Sequence, residues 1–276
     1  MRERQFKSGG LGGLDLEARA WLPDGPVRTV IVLAHGLGEH CGRYAWLAAA
    51  LVARGHAVYA LDHRGHGRSP GPRANIERFD HLVSDFCAFV GRASRQHFET
   101  PVVLLGHSMG GAVAFAAALR LQASLRGLVL SAPALGTNQP VAVGRRLLAR
   151  TLSSLAPNTG LLRLPAAAVS RDPAVVRAYE SDPLVHHGAI PARTLVELLA
   201  AMEGFLAQAP ELRLPTLALH GTADTLVPVE GVRPVYQAID VRKRTVRYYH
   251  GLYHEVFNEP ERAQVLADVL HWLDQV

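Results

Sequence analysis

Gly106-His107-Ser108-Met109-Gly110-Gly111 stands where the apolar run 101–105 ends and an alanine-rich helical pattern, 112–121, begins. G-x-S-x-G between a strand and a helix marks a sharp turn that lifts a serine hydroxyl clear of a sheet. Side chains at 106 and 110 would collide with neighbouring backbone in so tight a turn, and glycine at both positions removes the collision. The helix N-terminus behind the serine favours negative charge developing there. Ser108 is therefore the candidate nucleophile, with a purely structural Gly-Ser turn as the alternative.

Outward from this turn, apolar runs alternate with helical patterns. Residues 14–21 alternate like an early, half-exposed strand. Residues 29–34, 56–61, 101–106, 126–132, 214–221 and 244–250 also read as strands, several of them continuous β-branched or leucine runs. Such runs are expected of parallel strands covered on both faces. Helical patterns occupy 43–54, 79–98, 110–122 and 260–273. This alternation predicts an α/β protein with a mostly parallel central sheet flanked by helices, and ligands bound at the strands' carboxyl ends. The rhythm breaks between about 135 and 210, where no strand-like run occurs and helical patterns are punctuated by Pro140, Pro157, Pro165, Pro173, Pro183 and Pro191. The expected division is a core from 1–134, an inserted helical cap from 135–210, and a second part of the core from 211–276.

A serine hydroxyl is a weak nucleophile at neutral pH and needs a base. The α/β-hydrolase fold arranges serine, acid and histidine in that chain order, each near a strand end. Asp224 follows the late strand 214–221, and His254 follows the strand 244–250 in Gly251-Leu252-Tyr253-His254-Glu255. Ser108, Asp224 and His254 form the expected triad. Asp240 is the weaker choice of acid and His250 the weaker choice of base. His107 is expected to pack behind the turn. His63 and His66 read as structural, and His186 and His187 as solvated. His254 takes the Ser108 proton, and Asp224 fixes the imidazole tautomer. The oxyanion donors are expected to be the backbone amides of Met109 and of Leu37, in His35-Gly36-Leu37-Gly38.

Bulk properties agree with a small-molecule enzyme. The net charge of +5 comes from scattered Lys and Arg with no basic run, so no nucleic-acid partner is expected. Cys41 and Cys87 lack metal-ligand spacing and read as free thiols, so they suggest no metal site. The first ten residues have no apolar h-region, and no stretch of about 18 residues is apolar enough to span a bilayer. A cytoplasmic location follows as the expectation.

Taken together, His35-Gly36-Leu37-Gly38-Glu39-His40 with Arg43-Tyr44, Asp62-His63-Arg64-Gly65-His66-Gly67-Arg68-Ser69, the Ser108 turn, Ser170-Arg171-Asp172, Tyr179-Glu180-Ser181-Asp182-Pro183-Leu184 and Tyr253-His254-Glu255 resemble the monoacylglycerol lipases, in particular the bacterial, actinobacterial-type members. The resemblance covers almost the whole chain, cap included. It implies hydrolysis of monoacylglycerols to fatty acid and glycerol without a cofactor. It also implies that Glu39, Arg43 and Tyr179 hold the glycerol head; alternatively, Glu39 and Arg43 are an i,i+4 pair and Tyr179 packs in the cap. Residues 141–164 mix Leu, Ala and Val with Arg145, Arg146, Arg150 and Arg163, a pattern suited to peripheral contact with a membrane interface. Lysophospholipase or general carboxylesterase activity is the nearest alternative, and a non-catalytic ligand-binding protein is a more distant one. Dehalogenases and epoxide hydrolases of this fold commonly carry aspartate at the nucleophile position.

Overall fold

The computed structural model describes residues 1–138 and 143–276. In chain order its strands are β1 (Arg2–Gly9), β2 (Asp15–Leu22), β3 (Thr29–Ala34), β4 (His56–Leu61), β5 (Val102–His107), β6 (Gly127–Ser131), β7 (Gly160–Leu162), β8 (Ile190–Pro191), β9 (Thr216–Gly221) and β10 (Arg244–Tyr249). Its helices are α1 (Ala45–Val52), α2 (Phe79–Arg95), α3 (Met109–Leu121), α4 (Val143–Leu155), α5 (Pro173–Ser181), α6 (Ala192–Gln208), α7 (Val229–Ala238) and α8 (Arg262–Leu273).

Every residue of β3, β4, β5, β6 and β9 is buried, as continuous apolar runs require. Among the described residues the main sheet has eight strands in the order β1-β2-β4-β3-β5-β6-β9-β10. The β1–β2 and β2–β4 pairs are antiparallel and all others parallel. Strand alternation then decides which layer each side chain joins. Val30, Val32 and Ala34 of β3 pack with Leu104 and Leu130 against α2, α3 and α7. Ile31 and Leu33 pack on the other face with Leu105 and Leu219 against α1 and α8. Each large apolar side chain so buried contributes roughly 1.5–3 kcal/mol. The α/β-hydrolase sheet expected from the sequence is therefore present, with helices on both faces.

The strand order reverses at β3. The chain passes from β3 to β4 on one side, then returns to β5 on the other. Loops leaving β3 and β5 diverge there and open a crevice at the strands' carboxyl ends. Between β6 and β9 the chain leaves the sheet and builds α4, β7, α5, β8 and α6, with α4 packed on α6.

Four elements differ from the sequence reading. β1 was not expected, because an edge strand exposed along most of its length carries no apolar alternation. β7 and β8 form a short antiparallel pair inside the segment read as purely helical, with β7 only three exposed residues long. α7 carries Pro234 in its interior, which masks the helical pattern.

Candidate active site

Ser108 sits between β5 and α3 with φ 53° and ψ −121°. A non-glycine residue held there costs roughly 1–3 kcal/mol, so the surroundings must enforce it. Its N–H donates to the Ser131 carbonyl at 3.0 Å, and its own carbonyl accepts from Gly111 at 2.9 Å and Ala134 at 2.9 Å. A Cβ at Gly110 would run into the carbonyl oxygens of Ala34 and His35, and one at Gly106 into the Gly110 carbonyl. Both glycines are thus demanded by backbone approach rather than by the turn angle alone.

Asp224 lies just beyond β9 and His254 just beyond β10. The Nδ1–H of His254 donates to Asp224 Oδ2 at 2.7 Å. Asp224 Oδ1 accepts the amides of Leu226 and Val227, each at 2.9 Å. Burial alone would raise the Asp224 pKa, but the His254 imidazole, followed by hydrogen bonding from His220, His254 and the Val227 amide, outweighs it and holds the carboxyl well below the usual range. Burial likewise presses the His254 pKa down. The carboxylates of Asp224, then Glu255 and Glu39, more than offset this, so the imidazole titrates above its ordinary value. His220 adjoins this carboxyl, with Nε2 3.4 Å from Asp224 Oδ2. Its Nε2–H donates to the Val227 carbonyl at 2.8 Å, which leaves Nδ1 to accept from the Tyr236 hydroxyl at 2.9 Å.

Ser108 and His254 line one cavity of about 300 Å³. Leu37 and Met109 are on its wall beside Ser108. Among the described residues no acceptor is bonded to either of their amides. One wall is apolar, made by Leu162, Leu164, Leu195, Leu198, Leu199 and Met202 of the insertion with Leu226 and Val227. The lining also carries the polar side chains of Glu39, His107, Tyr179 and Glu255. A hydroxyl, an imidazole backed by a buried carboxylate, and two free amides around one cavity can carry acyl transfer.

Three of these polar side chains are joined through Arg43 in an ion-pair network. Glu39 Oε1 accepts the Gly36 amide at 2.6 Å and the Tyr44 hydroxyl at 2.6 Å, while Oε2 accepts from Arg43 at 2.7 Å. Arg43 also forms a two-pronged pair with Glu255 at 2.6 and 2.7 Å and stacks 4.8 Å from the Tyr179 ring centroid. Arg43 is not itself on the cavity wall; it braces two carboxylates that are. Burial would raise the Glu39 pKa, yet Arg43 reverses this and keeps it below the ordinary range. The Tyr179 phenol is pushed up to about 12 by burial and by Glu39 and Glu255, so it stays protonated. Tyr179 also packs on Val169 and Val185.

Two residues on the wall were not singled out as functional from the sequence. Glu255 adjoins His254, but its partner Arg43 is 212 positions away, a pairing no local pattern reveals. His107 lies with its ring 4.7 Å from that of His254, and burial pushes its pKa down to about 4. Both clues lay in the quoted motifs, as a carboxylate after the histidine and an imidazole before the serine. Of the competing residues, Asp240 is engaged by Arg242 on the exterior, and His250 is exposed. His63 and His66 are buried against His35, and His187 is exposed in the insertion.

Residues 25–261 match the family model described as serine aminopeptidase, S33. The chain is 43% identical over 264 residues to the monoacylglycerol lipase of Mycolicibacterium smegmatis, covering 96% of this chain and 94% of that one. The chain belongs to the monoacylglycerol lipase family. The monoglyceride lipase of Rattus norvegicus is 36% identical over 261 residues, covering 94% of this chain and 85% of that one. The crystal structure of the Paleococcus ferrophilus monoacylglycerol lipase aligns with a TM-score of 0.83 at 32% identity, covering 94% of this chain and 98% of that one. Membership of the monoacylglycerol lipases thus extends through the insertion as well as the sheet.

Proposed function

We propose that the chain hydrolyses monoacylglycerols to fatty acid and glycerol through an acyl-enzyme on Ser108. The observation that carries this reading is one cavity whose lining joins Ser108 and His254 to many leucines and to the hydrogen-bonding side chains of Glu39, Tyr179 and Glu255. His254 Nε2 takes the Ser108 proton as Oγ attacks the ester carbonyl, and Asp224 stabilises the imidazolium. The amides of Leu37 and Met109 receive the oxyanion, each worth roughly 2.7–4 kcal/mol in the transition state. His254 then protonates the departing glycerol oxygen. Water, deprotonated by the same imidazole, attacks the acyl-enzyme and frees the fatty acid.

In this reading residues 135–210 form a cap over the two parts of the core, 1–134 and 211–276, and supply the acyl-chain wall. Tyr179 and Glu39 face the glycerol head, with Arg43 holding Glu39 in place. Peptide substrates fit less well. A free α-ammonium calls for an unneutralised carboxylate, and both carboxylates in the cavity are already engaged by Arg43. The test is a parallel assay of monooleoylglycerol, dioleoyl- and trioleoylglycerol, lysophosphatidylcholine and an aminoacyl anilide. Monooleoylglycerol is expected to be cleaved with the highest kcat/KM. Preferential cleavage of lysophosphatidylcholine or the anilide would overturn the assignment.

The cap also suits peripheral membrane contact by an otherwise cytoplasmic enzyme. Leu147, Leu148 and Leu155 of α4 are 60–81% exposed, and Arg150 of the same helix and Arg163 after β7 are exposed as well. An apolar face with basic flanks is stable in a headgroup layer. Val141 and the side chains of Arg145 and Arg146, part of the same sequence expectation, lie outside the described residues. Among the described residues no helix is long and apolar enough to cross a membrane. Co-flotation with anionic vesicles is expected at low salt and should weaken at moderate salt; absence of flotation at both removes the contact.

A further inference from the structure

Glu259 follows the short turn Val256–Asn258, and its side chain has no solvent exposure. A carboxylate stripped of water persists only when its lone pairs are engaged. Here Oε1 accepts the amide of Tyr253 at 2.7 Å and that of Arg171 at 3.2 Å, while Oε2 accepts from Arg171 Nε at 3.0 Å. Two further bonds lie alongside. The Glu255 amide donates to the Val169 carbonyl at 2.8 Å, and the Ser170 hydroxyl donates to the Asn258 carbonyl at 2.9 Å. His254 is thus held on both sides: the residue before it is tied down by Glu259, and the residue after it by Val169. Residues 169–171 of the insertion, which overlap the Ser170-Arg171-Asp172 motif, are the far end of both ties.

We infer that Glu259 is a positioning residue for His254: it holds the imidazole against Asp224 and joins that geometry to residues 169–171 of the insertion. Misplacement of a reacting group by about 1 Å can cost on the order of 100-fold in rate. The imidazole is faced by Asp224, His107, Glu255 and Glu39, and its raised pKa depends on its contact with Asp224 first among these carboxylates. A drifting ring loses that contact.

The experiment is steady-state hydrolysis of p-nitrophenyl butyrate across a pH series, normalised to titrated active sites. Glu259→Ala is expected to lower kcat roughly 10- to 100-fold with KM within about twofold. The acid limb of its kcat/KM profile should move to lower pH. Glu259→Gln keeps an acceptor oxygen for the Tyr253 amide and should recover kcat to within about fivefold of wild type. A merely structural role would reduce Tm and the titratable fraction without moving the acid limb. Full kcat with an unmoved limb in Glu259→Ala, or a Gln variant as slow as the Ala variant, overturns the inference. Should Glu259→Ala not fold, Glu259→Asp keeps the charge but falls one methylene short of Tyr253; it is expected to lose kcat, and full kcat overturns the inference. The inference rests on His254 as the base. His254→Ala in the same assay tests that separately, since residual activity there removes the base itself. An inactive His254→Ala beside an unaffected Glu259→Ala removes only the positioning role.

Discussion

Alanine at position 108 is expected to lower kcat on monoacylglycerols and on p-nitrophenyl esters by a factor on the order of 10⁶, the scale on which a triad enzyme depends on its nucleophile. The substitution removes one oxygen and leaves the turn intact. Alanine keeps the Cβ already accommodated at φ 53°, and the bonds that fix the turn are made by the backbone of residue 108. Tm should therefore stay within a few degrees, and the variant should still take up substrate. Retention of more than about a hundredth of the wild-type kcat would contradict an acyl-enzyme on this serine. Loss of labelling by a fluorophosphonate, with unchanged circular dichroism, is the companion measurement.

Asp224→Asn is expected to cost about 10⁴-fold in kcat with little change in KM, through the tautomer of His254. The amides of Leu226 and Val227, both 2.9 Å from Oδ1, require an acceptor at that atom. An asparagine must then keep its oxygen on them and turn its NH₂ toward His254 Nδ1. That nitrogen becomes an acceptor, the ring proton moves to Nε2, and the nitrogen facing the serine can no longer accept one. Loss of the carboxylate also removes the strongest charge that raises the imidazole pKa. Less than a tenfold loss in a folded Asp224→Asn would show that another group orients the ring.

The sheet and the three residues proposed as the triad were legible because each depends on local pattern. Glycines at 106 and 110 mark a turn whose tightness is written in a few residues, and β3, β5 and β9 are continuous apolar runs. Asp224 and His254 then follow from their places after late strands. What escaped notice depends on distance or exposure. The pairing of Arg43 with Glu255 and that of Arg171 with Glu259 join the β3-side loop and the insertion to the histidine loop, across separations no periodicity reports. Glu39 and Arg43 were legible as an i,i+4 pair, yet the amide of Gly36 and the hydroxyl of Tyr44 as partners of Glu39 were not. β1 packs too little of its length to need apolar alternation, and Pro234 hides α7.

The order in which strands join the sheet has a consequence for how the chain is made. β9 pairs with β6 only after the whole insertion has been spelled out, and β10 lies beyond it. At roughly 5–20 residues per second, His254 leaves the ribosome on the order of ten seconds after Ser108. In the proposed mechanism the serine lacks its base throughout that interval, and the nascent chain is expected to have no esterase activity. The same delay leaves the free edge of β6 and its apolar faces open to any passing strand, and it is in those seconds that a chaperone would matter most to this protein.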